Sequence, residues 1–280
     1  MNVRWKLSLA LSLSAMLATS ASAQTVENSD SSTGGETGGA APEGGGGGGG
    51  RYPIAYAKRG MTLSKMTLVP DLHFAITQRD LGIASQTGFG LALAASFGIM
   101  DDLEVRAVVL PLTLSPSTSY GPLTLEGTFR FLKGDPELGV RFTAYIPTAD
   151  TLKFAFKAGV PLDLHVNPQL RIESGVFFAP VFTDPELSWG IEIPIAAAYN
   201  INDPLYIQLE LLPAIKSLGK VYFSMGYTLR AGYTIAKGSE PMLDIDAFFR
   251  VDDFVQTLAG DAVGFKNFVI GFGAKFYLFL

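Results

Sequence analysis

Phe268-Val-Ile-Gly-Phe-Gly-Ala-Lys-Phe-Tyr-Leu-Phe-Leu280 alternates without a break. One face carries Phe268, Ile270, Phe272, Ala274, Phe276, Leu278 and Leu280, and the other carries Val269, Gly271, Gly273, Lys275, Tyr277 and Phe279. A period of two is the signature of a β-strand whose faces meet different environments. The strand runs to the last residue, where a soluble chain would fray. A last strand that closes on the first leaves no free edge, so this ending predicts a barrel.

Upstream, the same alternation recurs between turn residues. It predicts twelve strands, at 66–77, 87–98, 103–114, 122–132, 137–147, 151–165, 169–180, 187–199, 205–213, 219–234, 241–251 and 265–280. Several are longer than the roughly 5–6 residues usual in soluble proteins. They match the ~9–11 residues that a tilted strand needs to cross a bilayer. Tight turns are expected at Met100-Asp-Asp, Lys133-Gly-Asp-Pro, Val166-Asn-Pro, Asn200-Ile-Asn-Asp-Pro and Lys237-Gly-Ser-Glu-Pro. The links around 78–86 and 252–264 are longer.

The two faces of each strand separate two solvents. Leu123, Leu125, Gly127, Phe129 and Phe131 oppose Thr124, Glu126, Thr128 and Arg130, while Leu205, Ile207, Leu209 and Leu211 oppose Tyr206, Gln208 and Glu210. The same parity assigns an inward, polar face along the whole chain. Its acids are Asp71, Glu104, Glu126, Asp163, Glu173, Glu192, Glu210, Asp244 and Asp246. Its bases are Arg106, Arg130, Arg141, Lys153, Lys157, Arg171, Arg230, Arg250 and Lys275, and both histidines, His73 and His165, join them. These residues are expected to line a lumen, bracing it by cross-strand pairs or orienting a polar solute within it. Small inward residues such as Gly88, Gly90, Ala92, Ala94, Ser96 and Gly98 leave room for water or for an inserted segment.

Composition agrees with a membrane barrel. Hydrophobic residues make up 48% of the chain and charged residues 17%. No stretch of the mature chain is apolar for the roughly 20 residues that a spanning helix needs. A hydrophobic chain without such a helix interleaves its polar residues one by one. A net charge of −5 speaks against a nucleic-acid partner. With no cysteine, disulfides, thiolate metal sites and a lipid-anchored N-terminus are excluded.

The N-terminus has its own organisation. Arg4 and Lys6, an apolar run from Leu7 to Leu17 and Ala21-Ser22-Ala23 read as a secretory signal peptide over residues 1–23. Residues 24–60, rich in Ser, Thr, Gly and Glu around the run Gly44–Gly50, read as a disordered arm. The barrel is assigned to residues 61–280. Within the arm, Arg51–Gly60 carries Tyr52, Tyr56, Lys58 and Arg59 and is a candidate to enter the lumen.

The closing strand resembles the C-terminal signal strand of bacterial outer-membrane β-barrel proteins. That pattern usually ends on an aromatic residue, whereas here Phe279 is penultimate and Leu280 is last. The resemblance implies an all-β, antiparallel up-and-down barrel in the bacterial outer membrane. It implies outer-membrane lipid and the barrel-assembly machinery as partners, the latter through the last strand. Short turns would face the periplasm and longer loops the exterior. Outward aromatics at Phe97, Phe131, Tyr199 and Tyr233, and at Phe178 and Trp189 on the opposite rim, fit girdles at the two interfaces. Twelve strands lie between the filled eight-stranded barrel and the open sixteen-stranded porin.

The leading expectation is therefore a porin-like channel for small polar or charged solutes. The alternative is a closed structural or partner-binding barrel. A transporter of apolar compounds and a lipid-modifying enzyme are weaker options. No catalytic, metal or cofactor site is predicted: the histidines sit in no nucleophile setting, and no Gly-x-Ser-x-Gly elbow is present.

Overall fold

Turn chemistry cuts the chain into hairpins of similar length. A computed structural model of the protein describes residues 52–80, 85–149, 153–182, 187–217, 221–256 and 267–280. The expected signal peptide and the glycine run lie outside the described residues.

The twelve staves are β1 (Thr67–Asp80), β2 (Ser85–Met100), β3 (Leu103–Ser115), β4 (Leu123–Leu132), β5 (Glu137–Ile146) and β6 (Ala155–Asn167). They continue with β7 (Leu170–Phe182), β8 (Leu187–Glu192 and Ile195–Asn200), β9 (Leu205–Ser217), β10 (Val221–Lys237), β11 (Glu240–Gln256) and β12 (Phe268–Phe276 with Leu278–Phe279). They form one 15-stranded sheet, because two staves are each split and Ser119–Tyr120 is an offshoot pairing with β3. β8 breaks at Ile193–Pro194, where proline has no N–H to give the ladder. Ile193 instead donates to the Pro213 carbonyl at 2.9 Å.

Every described pairing is antiparallel between sequence neighbours, and β12 returns to β1. The seam runs from Asp71↔Lys275 to Gln78↔Phe268 and resumes at Thr67↔Phe279. The closing strand quoted above thus seals the barrel. The five turn sequences all fall between staves, and all lie at one end.

Burial is inverted relative to a soluble protein. Phe272 is 52% exposed, Phe142 50% and Val176 56%, whereas Arg171 is 0% and Lys275 3% exposed. Apolar side chains facing out and ionic ones facing in define a wall solvated by lipid. A soluble barrel with the same alternation would show the opposite.

One boundary differs from the sequence reading. The flexible arm was expected to reach residue 60 and the barrel to begin at residue 61. Tyr52, Ala55, Tyr56, Ala57, Arg59, Met61, Thr62 and Leu63 are instead buried inside the barrel, ahead of its first stave. They are not the low-complexity part of the arm: aromatic, aliphatic and arginine side chains give this stretch surface to bury, which the glycine run lacks.

Candidate functional site

The inner wall is built by parity. Because successive side chains alternate, each stave delivers every second residue to the lumen. Of the residues expected there, Asp71, His73, Glu104, Arg106, Glu126, Arg130, Arg141, Lys157, Asp163, Arg171, Glu173, Glu210, Arg230, Asp244, Asp246, Arg250 and Lys275 are buried. Glu192 and His165 are half-buried. Lys153 stands exposed, two residues before β6 begins.

Opposite charges interleave around the wall. Arg106 Nη2 reaches Asp71 Oδ2 at 2.9 Å, and His73 Nε2 lies 2.7 Å from Asp71 Oδ1. In register, Lys275 is opposed by Asp71 on one side and by Asp244 on the other. Arg141 Nε donates to Thr128 Oγ1 at 3.0 Å and lies 3.7 Å from Glu126 Oε1. Asp163 and Glu173, two acids directly opposed on β6 and β7, share Arg171 at 2.6 and 3.3 Å. Lys157 pairs with Glu192 at 3.6 Å. Arg230 approaches Asp246 at 4.0 Å and stacks over Phe248, its centroid 5.6 Å away. Such a wall has no positive and negative half; it is a mesh. A cavity of 20 Å³ lies in it, lined among others by Arg141, Asp163, Glu173, Ser174, Pro194 and Glu210. That is room for about one water.

Residues 52–65 cross the lumen at the turn end and are held by the wall. A 3-10 turn at Tyr56–Lys58 presents the Ala57 N–H to Asn200 Oδ1 at 2.6 Å. Tyr56 stacks on Tyr206 with centroids 4.4 Å apart, and its hydroxyl is 3.4 Å from Glu173. The Arg59 carbonyl accepts from Arg171 Nη1 and lies 3.1 Å from His165 Nε2. Met61 N donates to Glu137 at 2.8 Å, and Leu63 N to Glu104 at 3.0 Å. Thr62 Oγ1 donates to the Asp101 carbonyl at 2.7 Å, and Lys65 N to Asp101 Oδ1 at 2.9 Å. Burial pushes the Tyr52 and Tyr56 hydroxyls well above the ordinary phenol range, so both stay protonated.

The wall makes room for this segment at two glycines. A Cβ on Gly98 would meet the Ser64 carbonyl oxygen at 2.1 Å, and one on Gly139 would meet Met61 Sδ at 2.6 Å. Parity alone marks these positions as inward but gives no reason for glycine. The same is true of Glu137, Tyr206 and Tyr277, which hold the segment and lie on the inward parity of their staves. Asn200 closes β8 on the inward parity of Ala196 and Ala198, whereas Asp101 belongs to a turn, where no periodicity points to a role.

Outside the wall, the turn residue Asp102 bridges Lys133 at 2.6 Å and Arg130 at 2.8 Å. Partial burial works to raise its pKa, but the hydrogen bonds from Lys133 and Arg130 outweigh it and hold the carboxyl below the usual range. Among the described residues, no group of three His, Asp or Glu side chains is arranged to hold a metal.

The chain matches no family model and no curated protein. It is similar in structure to an outer-membrane channel from Pseudomonas putida F1, at a TM-score of 0.57 and 11% identity over 78% of this chain and 97% of that one. It is also similar to the NanC porin, at a TM-score of 0.58 and 9% identity over 75% of this chain and all of the porin. The fold is that of bacterial outer-membrane β-barrels. At these identities the likeness speaks to architecture, and the side chains must carry any reading of function.

Proposed function

We propose that this barrel is a porin-like channel of the outer membrane for small polar or charged solutes, and that Tyr52–Lys65 closes it at the periplasmic end. The observation that supports it is the interior itself: charged and polar side chains cover the inner wall, while the occluding segment is no stave but a strand-free stretch docked by side chains. Removing it would leave the wall's own hydrogen-bonded ladder intact. Residues 1–23 would direct export, and the turn end, where the described chain begins, would face the periplasm. The strand Phe268–Leu280 would be read by the assembly machinery, and the inward charges from Asp71 to Lys275 would line the path. The two similar structures are described as a channel and a porin, which agrees with this reading.

The test is solute flux into liposomes carrying residues 24–280, compared with a barrel that begins at Met66. The intact chain should pass little, and the shortened one should pass small ions. A closed structural barrel is the second reading, favoured by the near-complete burial of Arg171, Asp163 and Asp246. If the shortened barrel folds and still passes nothing, the channel reading fails and the closed barrel replaces it.

A further inference from the structure

All three guanidinium nitrogens of Arg59 are hydrogen-bonded. Its side chain is fully buried. Nη1 donates to Asp244 Oδ2 at 2.5 Å and to the Tyr277 hydroxyl at 2.9 Å. Nη2 donates to Asp244 Oδ1 at 3.1 Å and to Thr234 Oγ1 at 3.0 Å. Nε donates to the Pro53 carbonyl at 3.1 Å. Tyr277 in turn donates its own proton to Asp244 Oδ2 at 2.6 Å. The guanidinium carbon lies 5.6 Å from the centroids of Tyr52 and Tyr56, and 5.3 Å from that of Tyr277.

The wall's share of this site is a planar fork. Asp244 supplies both carboxylate oxygens, Thr234 and Tyr277 flank it with hydroxyls, and the Tyr277 ring offers an electron-rich face. β10 and β11 place Thr234 directly opposite Asp244, and the latter is opposite Lys275 on β12, two residues before Tyr277. A carboxylate that accepts two parallel N–H groups selects guanidinium over ammonium, since a compact point charge cannot span both oxygens in plane. A delocalised, weakly hydrated cation also loses less on leaving water for a tyrosine-lined recess.

We infer that Asp244, Thr234 and Tyr277 form a guanidinium-binding site on the inner wall, filled from within the chain by Arg59, for which a free guanidinium-bearing cation competes. The ligand class is a small solute carrying a guanidinium group. Its arrival would release the bond that anchors the crossing segment, coupling solute recognition to opening. The site does not depend on whether the barrel conducts.

The experiment is chemical rescue. Residues 24–280 with Arg59→Ala are refolded in detergent, and the unfolding midpoint is followed against millimolar guanidinium chloride, far below denaturing levels. Tetramethylammonium chloride at equal ionic strength is the control. At about five times its dissociation constant, guanidinium should raise the midpoint by about 2–4 °C in a saturable manner. It should do nothing for Arg59→Ala combined with Asp244→Asn. In the wild type the site is occupied, so the same ion should instead speed amide exchange across residues 52–65. A flat titration, an equal effect of tetramethylammonium, or rescue that survives Asp244→Asn would each overturn the inference. If Arg59→Ala does not refold, the wild type decides alone: exchange that guanidinium accelerates supports the site, and unchanged exchange overturns it.

Discussion

Gly98→Ala tests whether the crossing segment is seated by shape. Gly98 lies on β2 beside the turn end and accepts from the Met66 N–H at 2.8 Å. A Cβ there would stand 2.1 Å from the Ser64 oxygen and 2.9 Å from the Leu63 oxygen. Both are backbone atoms of the segment, so no side-chain rotation relieves the contact. The segment must move, and it is the part held by side chains, whereas β2 is fixed by ladders on both sides. Overpacking of this kind costs about 1–3 kcal/mol. If that cost falls on docking, the seated state weakens by roughly 5- to 150-fold, at ~1.4 kcal/mol per factor of ten. The assay is single-channel open probability in planar bilayers, with amide exchange of residues 61–65 as a readout independent of conduction. Gly127→Ala is the control, since a Cβ there meets nothing within 4 Å. The reasoning is refuted if both variants fold and Gly98→Ala exchanges and opens no more than Gly127→Ala.

Three further outcomes are expected. Arg171→Ala leaves Asp163 and Glu173 buried without their shared cation, and leaves only His165 on the Arg59 carbonyl; it should cost about 3–5 kcal/mol in urea unfolding, and a loss near that of a surface change would show the pair is not desolvated. Phe272→Arg, on the outward face near the middle of its stave, should cost ~2–4 kcal/mol in vesicles, while Leu280→Arg at the rim should cost ~0–1 kcal/mol; equal costs would contradict the assigned lipid belt. Asp102 has its pKa held down in the folded state, so it contributes stability above the unfolded value of about 3.9 and loses it as pH falls through the folded one. Unfolding followed from neutral to strongly acidic pH should therefore show a shallower acid loss for Asp102→Asn, with the two profiles keeping a constant offset above about pH 5, and a steeper loss would reverse the assignment.

Much of this architecture is written locally. Alternation is a property of adjacent residues, so stave number, the inward parity of residues such as Arg106 and Glu126, and closure through Phe268–Leu280 follow from reading along the chain. Turn residues are local too, which is why the five tight links stand out in the sequence. Tyr277 already shares the Lys275 face in the sequence, and Glu137 needs only the same parity extended to the first residue of its stave.

What faces what across the lumen is a different kind of information. Parity says that Asp244 points inward, but not at what height or toward which partner. The pairing of Arg59 with Asp244, 185 residues away, is fixed only when twelve staves close and bring both to the turn end. The interleaving of charges, the glycine clearances at Gly98 and Gly139, and the folded state of Tyr52–Leu63 share that origin. Sequence determined which side of the wall each residue occupies, because side-chain direction is set by the neighbouring peptide. Tertiary structure decided how opposite charges interleave on the inner wall and that the chain's own segment crosses the lumen, because contacts across a barrel depend on register summed around the whole ring.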